Sequence, residues 1–375
     1  MSTPPIGTRI ELFLRPDFPT KSGGDLVLAR QFQTGLDAAG ADVLLEPLSA
    51  AGLDARHGTA QLFNVDRYFE FAAAAGRLRA AGRSYVVAPV HHPTAFVDRF
   101  ERARGRSALK AIATLGRTAY GRERIKHVLR GRSRGALREA LVRDIRTAVR
   151  EALDGAALIV LQAPSEGDQL RETFGAELDA RTAWVPNGVT VDEEVDVYGD
   201  RPIDLLVAGR IEERKNQLAI AQAFDGAGLR VVFVGGDNPR SAAYAKQFHA
   251  LVAASSNLEH VPHVTLDELR RMYSRSKVLF SASRFEVVSL AELEAVAYGC
   301  RLVSTTGGYM RDYLGEHADY VDPAAPAEEL RAAGRRAVAA GVNEDGLTLV
   351  RREYTWDRTH AGLVEAYRHC GLLPA

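Results

Sequence analysis

Short apolar runs alternate with stretches of helical periodicity along the whole chain. Residues 9–14 read as a buried strand, the turn-rich 15–24 follow, and Leu26, Leu28, Ala29, Phe32 and Leu36 then recur at the spacing of one helix face. Further strands are predicted over 41–45, 61–65 and 85–90, with an Ala-rich helix over 71–81 between the last two. A basic stretch with helical periodicity, clearest over 136–152, precedes another strand over 156–161. Pro186, Asn187 and Gly188 form a turn signal, and the acidic, apolar-poor run 192–202 has no clear period, so a domain boundary belongs there. The alternation then restarts, with strands over 204–208, 229–234, 277–283 and 301–305 and helices over 218–224, 266–274, 290–298, 327–340 and 356–369. Strands alternating with helices imply an α/β fold of parallel, doubly wound sheets, in which ligands bind beyond the carboxyl ends of the strands.

A length of 375 residues allows two sizeable cores, and 46% hydrophobic with 26% charged residues is the composition of an ordinary globular protein. The longest apolar runs fall far short of the ~20 residues that cross a bilayer. Residues 1–8 lack a basic segment followed by an apolar one, and Cys300 and Cys370 are too few for a disulfide framework, so a cytoplasmic location is expected. The 48 Lys and Arg balance 48 Asp and Glu, which leaves no global case for nucleic acid. The balance hides a local excess: residues 99–150 carry 16 Lys and Arg against four Asp and Glu, a net +12. A solvated Arg-rich face is one reading. The other is attraction of an anionic acceptor, or peripheral contact with the anionic inner face of a membrane.

The chemistry concentrates in the second half. Glu286 and Glu294 are separated by seven residues in Ser281-Ala-Ser-Arg-Phe-Glu-Val-Val-Ser-Leu-Ala-Glu-Leu-Glu-Ala-Val-Ala-Tyr-Gly-Cys300. Ser289 followed by Glu292 fits a capping box, so a helix should start near Ser289, with Glu286 in the preceding loop and Glu294 in the second turn. Two carboxylates then flank a helix N-terminus suited to phosphate, where they can accept from sugar hydroxyls. The bland alternative is a surface helix with an acidic first turn. Upstream, Arg210 and Lys215 lie just beyond a predicted strand, where two cations can hold a nucleotide diphosphate and offset charge as it leaves. No Asp-x-Asp follows an apolar strand, so no metal is expected.

The segment Glu294-Ala-Val-Ala-Tyr-Gly-Cys300 resembles the signature tail of the retaining, nucleotide-sugar-dependent glycosyltransferases of family 4. Leu206-Val-Ala-Gly-Arg-Ile-Glu-Glu-Arg-Lys-Asn216, Trp184-Val-Pro-Asn-Gly-Val-Thr190, Val232-Phe-Val-Gly-Gly236 and Tyr354-Thr-Trp-Asp357 follow in the family's order. The resemblance covers about residues 150–370 well and the first half loosely. It implies a GT-B architecture of two facing Rossmann-like domains. Residues 1–190 would bind the acceptor and 200–355 the nucleotide sugar, with a final helix over 356–375 crossing back to the first domain. It further implies transfer of a hexose to a sugar, glycolipid or other hydroxyl acceptor, as in cell-envelope glycan synthesis, without a cofactor. Glu286 would face the transferred sugar, with Arg210, Lys215 and His91 as the other catalytic groups. Glu294, Ser289, Val288, Gly23, Gly24 and His263 would line the donor site. His92 stays open as the alternative to His91. Two departures bear on donor choice: Val287-Val288-Ser289 replaces the usual Gly and aromatic, and Arg311 stands in Gly307-Gly-Tyr-Met-Arg-Asp312 where an acid is common. A sugar-nucleotide epimerase and a non-catalytic nucleotide-sugar-binding subunit are the competing classes.

Overall fold

Parallel strands cannot be joined by tight hairpins, so each must be followed by a crossover, and the apolar runs of this chain are long enough for strands covered on both faces. The computed structural model describes residues 8–20, 23–54, 58–104, 144–178, 181–190 and 196–374. Among them, β1 (Arg9–Leu14), β2 (Asp42–Pro47), β3 (Thr59–Phe63), β4 (Tyr85–Ala88), β5 (Leu158–Leu161) and β6 (Thr182–Trp184) form one sheet in the order β2-β1-β3-β4-β5-β6. A second sheet has the order β12-β11-β10-β7-β8-β9. It is built from β7 (Ile203–Ala208), β8 (Val231–Val234), β9 (Leu258–Val261), β10 (Ser276–Phe280), β11 (Arg301–Thr305) and β12 (Asp319–Val321). Every pairing in both sheets is parallel. The fold is therefore two doubly wound, Rossmann-like α/β domains.

The chain divides into a first unit, Met1–Asn187 with Trp356–Ala375, and a second, Gly188–Thr355. In the first, Ile10, Leu12 and Leu14 pack on one sheet face with Phe32 and Leu36 of the helix Gly24–Ala38 and with Leu363 and Tyr367 of the C-terminal helix Trp356–His369. Phe13, Leu62 and Val87 face the other way, onto the helices Tyr68–Ala80, Ile145–Asp154 and Pro164–Phe174. The C-terminal helix is fixed by polar contacts as well: Thr359 Oγ1 donates to the Pro186 carbonyl (2.8 Å) and Tyr367 Oη to Gln61 Oε1 (2.6 Å).

In the second unit the helices Gln217–Phe224, Ala242–Ala254 and Ala327–Ala340 cover one face, around Phe224, Phe233, Phe248 and Phe280. The helices Leu266–Ser274 and Leu290–Ala297 end side by side, and their carbonyl ends converge on one buried guanidinium. Arg201 donates to the carbonyls of Tyr273 (3.2 Å), Tyr298 (2.9 Å), Ser276 (2.5 Å) and Val197 (2.8 Å). It has no carboxylate partner among the described residues; the negative ends of two helix dipoles and the carbonyls serve instead. Gly299 is needed beside it: its φ is +83°, and a Cβ there would lie 2.4 Å from an Arg201 nitrogen.

Several elements lie outside the sequence-based expectations. The helices Pro164–Phe174, Ala242–Ala254 and Glu344–Glu353 occupy ground without a predicted element, as do the short strands β6, β9 and β12, whereas the helix Thr94–Arg104 runs into the start of the basic stretch with helical periodicity. The basic stretch falls mostly on residues 105–143, outside the described residues. No helix among the described residues is long and apolar enough to cross a membrane.

Removing the converging guanidinium leaves four buried carbonyls without their donor. Arg201→Ala is expected to lower stability by at least about 3 kcal/mol, read as a shift in the denaturation midpoint.

Candidate active site

Strand order reverses in the second sheet between β7 and β10, which have neighbours β8 and β11 on opposite sides. The loops leaving these two strands, 209–216 and 281–289, therefore diverge to opposite faces and leave a crevice between them, the general ligand site of such sheets. Gly235 makes the close packing of the first loop possible: at φ +138°, a Cβ on it would sit 2.4 Å from the Gly209 carbonyl oxygen.

The loops meet in an ion-pair network. Glu286 Oε1 lies 2.7 Å from Lys215 Nζ, and its Oε2 lies 2.9 Å from Arg214 Nη1. Arg214 also pairs with the buried Glu212 (3.1 Å), whose other oxygen accepts from Asn238 Nδ2 (2.6 Å). Backbone contacts hold both loops in register. Arg284 N–H donates to the Arg214 carbonyl (2.7 Å), and Asn216, in the left-handed region at φ 60°, sends its amide to the carbonyls of Ala282 and Pro323 (each 3.0 Å). Glu286 N–H donates to the Gly307 carbonyl (2.9 Å) and Tyr309 N–H to that of Val287 (3.0 Å), so the loop after β11 is tied in too.

The helix Leu290–Ala297 begins at this crevice, with Ser289 at its N-cap. Here the structure corrects the capping-box expectation: the Ser289 side chain makes no cap hydrogen bond, and Glu292 turns inward. Glu292 is 2% exposed, and its Oε2 accepts from Ser304 Oγ of β11 at 2.6 Å. Burial pushes this carboxyl up to about 7, against the pull of its Ser304 bond, and the nearby Glu286 charge adds to the rise. The sequence signal for its inward turn was the small polar Ser304 on a buried strand, which the local Ser-x-x-Glu pattern outweighed. The helix's first N–H groups have no intrahelical acceptor. They adjoin a cavity of about 10 Å³ lined by Lys215, Ser281, Ser283, Ser289 and Glu292 among others, about the room one water molecule needs.

The other expected site residues are spread more widely. Arg210 is exposed and makes no ion pair among the described residues, whereas the unanticipated Arg214 holds Glu286. Glu294, in the second turn, is half-buried beside Tyr273 and Arg270 of the helix Leu266–Ser274; burial raises its pKa and Arg270 opposes the rise. Val288 is half-buried. His263 packs on Gly236, where a Cβ would come within 2.8 Å of the imidazole. The Arg311 guanidinium lies over the ring of Tyr320, 4.0 Å from its centre.

A second cluster occupies the first unit, beyond the ends of β3, β4 and β5. Asp66 bridges two imidazoles, with 2.5 Å to His91 Nδ1 and 2.6 Å to His92 Nδ1. Burial pushes Asp66 up, but the His91 charge and the bonds from both rings outweigh it and hold the carboxyl well below the usual range. Glu166, fully buried, accepts the backbone N–H groups of His91 (2.7 Å) and Gln162 (2.8 Å). Burial raises it to about 7, with these bonds opposing. His91 itself is 0% exposed while the His92 side chain is 25% exposed, so His92 is the ring with an accessible edge. Val90, just before them, has φ 46°, a conformation strained for a β-branched residue and held by these bonds. Gly23 caps the helix Gly24–Ala38 by position, with Asp25 and Arg15 paired beside it at 2.7 Å, and Gly24 is exposed. No group of three or more His, Cys, Asp or Glu disposed to hold a metal occurs among the described residues.

Residues 192–338 match the model of the glycosyl transferases group 1. That stretch lies within the second unit. A D-inositol 3-phosphate glycosyltransferase of Paenarthrobacter aurescens is 28% identical over 248 residues, a match spanning 59% of this chain and 60% of that relative's length. Among solved structures, sucrose-phosphate synthase from Thermosynechococcus elongatus superposes with a TM-score of 0.70 at 16% identity, over 96% of this chain and 98% of that one. The Anabaena protein HepE, solved in complex with UDP-glucose, gives 0.64 at 13% identity over 96% and 99%. These likenesses establish the GT-B type of fold, two Rossmann-like domains.

The two carboxyls raised to about 7, Glu166 and Glu292, fix a pH dependence. Each is protonated more readily in the folded protein than at its ordinary 4.5, so its contribution to stability is full below 4.5 and lost as pH rises through about 7. Asp66, shifted the other way, acts only at lower pH. Thermal unfolding is expected to show stability falling across the window from 4.5 to about 7, with a smaller fall in Glu292→Gln.

Proposed function

We propose that the chain is a glycosyltransferase that moves a hexose from a nucleotide diphosphate sugar to an acceptor hydroxyl with retention at the anomeric carbon. The observation that carries this reading is the pairing of Lys215 with Glu286 at 2.7 Å beside a helix N-terminus, at the strand-order reversal of a glycosyl transferases group 1 domain. Lys215 and the free N–H groups of the helix offer a diphosphate one full and one partial positive charge, and Arg210 adds a second cation from the exposed side of the same loop. A diphosphate that takes Lys215 leaves Glu286 able to accept from a sugar hydroxyl. Glu294 accepts from the ribose, and His263, Ser289 and Val288 complete the donor contacts.

The acceptor oxygen attacks the anomeric carbon on the face from which the diphosphate leaves. As the bond from that carbon to the phosphate oxygen breaks, the leaving phosphate takes the acceptor proton. Lys215, Arg210 and the helix end stabilise the charge that develops on it, so the reaction needs no resident metal or cofactor. Acceptor-side chemistry falls to the first unit, where Gly23, Gly24 and the Asp66-braced His91 and His92 lie at strand ends. UDP-glucose in a neighbour of like fold and the inositol phosphate in a relative's name support a nucleotide sugar and a hydroxylated, anionic acceptor as the first candidates. The +12 of residues 99–150 supports the same acceptor charge, or peripheral contact with an anionic membrane at the cytoplasmic face.

A thermal-shift panel of UDP-, GDP- and ADP-sugars tests the donor assignment. A ligand at 100 times its Kd adds about 2.7 kcal/mol to stability. One sugar nucleotide is expected to give such a shift, and Lys215→Ala and Glu294→Ala to lose it while still folding. Variants that respond like the unaltered protein would remove the site assignment, and turnover of the nucleotide sugar without any acceptor would point to an epimerase instead.

A further inference from the structure

We propose that Glu292 takes up a proton when an anionic ligand binds at the Lys215 end of the helix Leu290–Ala297, so that donor binding is proton-coupled; this rests on the donor reading above. The geometry behind it is a buried acid with no cation of its own. Glu292 is 2% exposed, lines the cavity that Lys215 and Ser289 also line, and makes no ion pair among the described residues. Its partners are hydroxyls, Ser304 at 2.6 Å and Ser281, which can accept from a protonated carboxyl as well as donate to an ionised one.

The charged and titratable groups facing it are few. Glu286 and Lys215 approach from the two loops, Tyr320 from β12 and Tyr273 from the helix Leu266–Ser274. The helix Glu344–Glu353 contributes Arg351, which bonds the Ala297 carbonyl at the opposite end of the Glu292 helix (2.9 Å). Lys215 is the nearby cation, and its ammonium is committed to Glu286. A diphosphate that recruits Lys215 adds negative charge beside Glu292 and leaves the Glu286 charge less compensated. Glu292, locked by its neighbours, cannot swing to solvent. The remaining response is the proton: the carboxylate takes one from solvent and becomes a neutral acid bonded to the serines.

The sign follows. Burial already holds Glu292 near 7, and a like charge beside it raises it further. Below about 7 the group is neutral before and after binding, and affinity is independent of this group. Between that and the higher pKa of the bound state, ligand binding takes up to one proton, and affinity falls by up to about tenfold per pH unit; beyond that window the dependence ends.

Isothermal titration of the sugar nucleotide that binds best from a UDP-, GDP- and ADP-glucose panel, just above neutrality in two buffers of different ionisation enthalpy, reads the proton directly. Sugar nucleotides are diphosphate diesters that do not titrate in this range, so any proton is taken up by the protein. The expected result is a buffer-dependent enthalpy in the unaltered protein that disappears in Glu292→Gln, whose affinity stays flat with pH. Difference infrared spectra of the unaltered protein should show a carboxylate band replaced by a protonated carboxyl band on binding, which keeps the test decisive if the variant fails to fold. A buffer-independent enthalpy with no such band, or equal proton uptake in Glu292→Gln, overturns the proton coupling alone. Failure of every sugar nucleotide to bind overturns the donor reading and this inference with it.

Discussion

Everything at the site follows from the parallel hydrogen-bond ladder. Parallel strands all finish at one edge, so their connecting loops collect there, and where the order reverses between β7 and β10 two of those loops cannot lie side by side on one face. The chain closes the gap with backbone bonds, Arg284 to Arg214 and Asn216 to Ala282 and Pro323, and then with charge. Glu286 on one loop and Arg214 with Lys215 on the other meet because the backbone leaves them nowhere else to go. The same ladder explains why Gly235 stands where β8 ends: its α-carbon approaches the Gly209 carbonyl too closely for a side chain.

The charges there are close to balance. Glu212, Glu286 and Glu292 face Arg214, Lys215 and the partial charge of one helix end. Arg214 is spent on two carboxylates and partly covered, so it behaves as internal wiring that keeps Glu286 in place. Lys215 has one carboxylate partner, a compact ammonium and a cavity beside it, which makes it the cation that can change partners. On the donor reading, a diphosphate and Glu286 compete for the same ammonium. At about 4 Å two unit charges interact by about 4 kcal/mol in partly screened surroundings, so trading one anion for a doubly charged one is favourable.

Much of this was legible from the chain. The strands β1, β7, β10 and β11 sit in apolar runs too short for helices, and the loops after them were the places to look for chemistry. What escaped was either short or uniform. β6, β9 and β12 are three or four residues long at or near sheet edges. The helix Ala242–Ala254 is so rich in alanine that no face stands out, and it buries only Ala245 and Phe248. At the site, residue spacing singled out Glu286 and Lys215, which the fold brings to 2.7 Å from each other, but nothing local distinguished Arg214 from a solvated loop charge, because its partners Glu212 and Glu286 converge only through the fold. Glu292 shows the same limit from the other side. The Ser-x-x-Glu pattern is a real local preference, worth on the order of 1 kcal/mol, and it lost to a buried partner on β11 that the sequence places twelve residues away.

The two units each bury one carboxyl near 7 in the first turn of a helix, yet the surroundings give them different work. Glu166 has each oxygen bonded to a backbone N–H, from His91 and from Gln162. Those donors belong to the backbone just beyond β4 and β5, so Glu166 is a staple: it ties the strained turn at Val90 to the end of β5. Glu292 bonds to side-chain hydroxyls that can rotate and accept as readily as they donate. A proton added to Glu166 stands beside two N–H groups that can only donate, whereas a proton added to Glu292 finds a hydroxyl able to accept it. Equal burial therefore gives two carboxyls that titrate in the same range but answer a proton differently, and the difference lies in whether the partner is an N–H, which only donates, or an O–H, which does both.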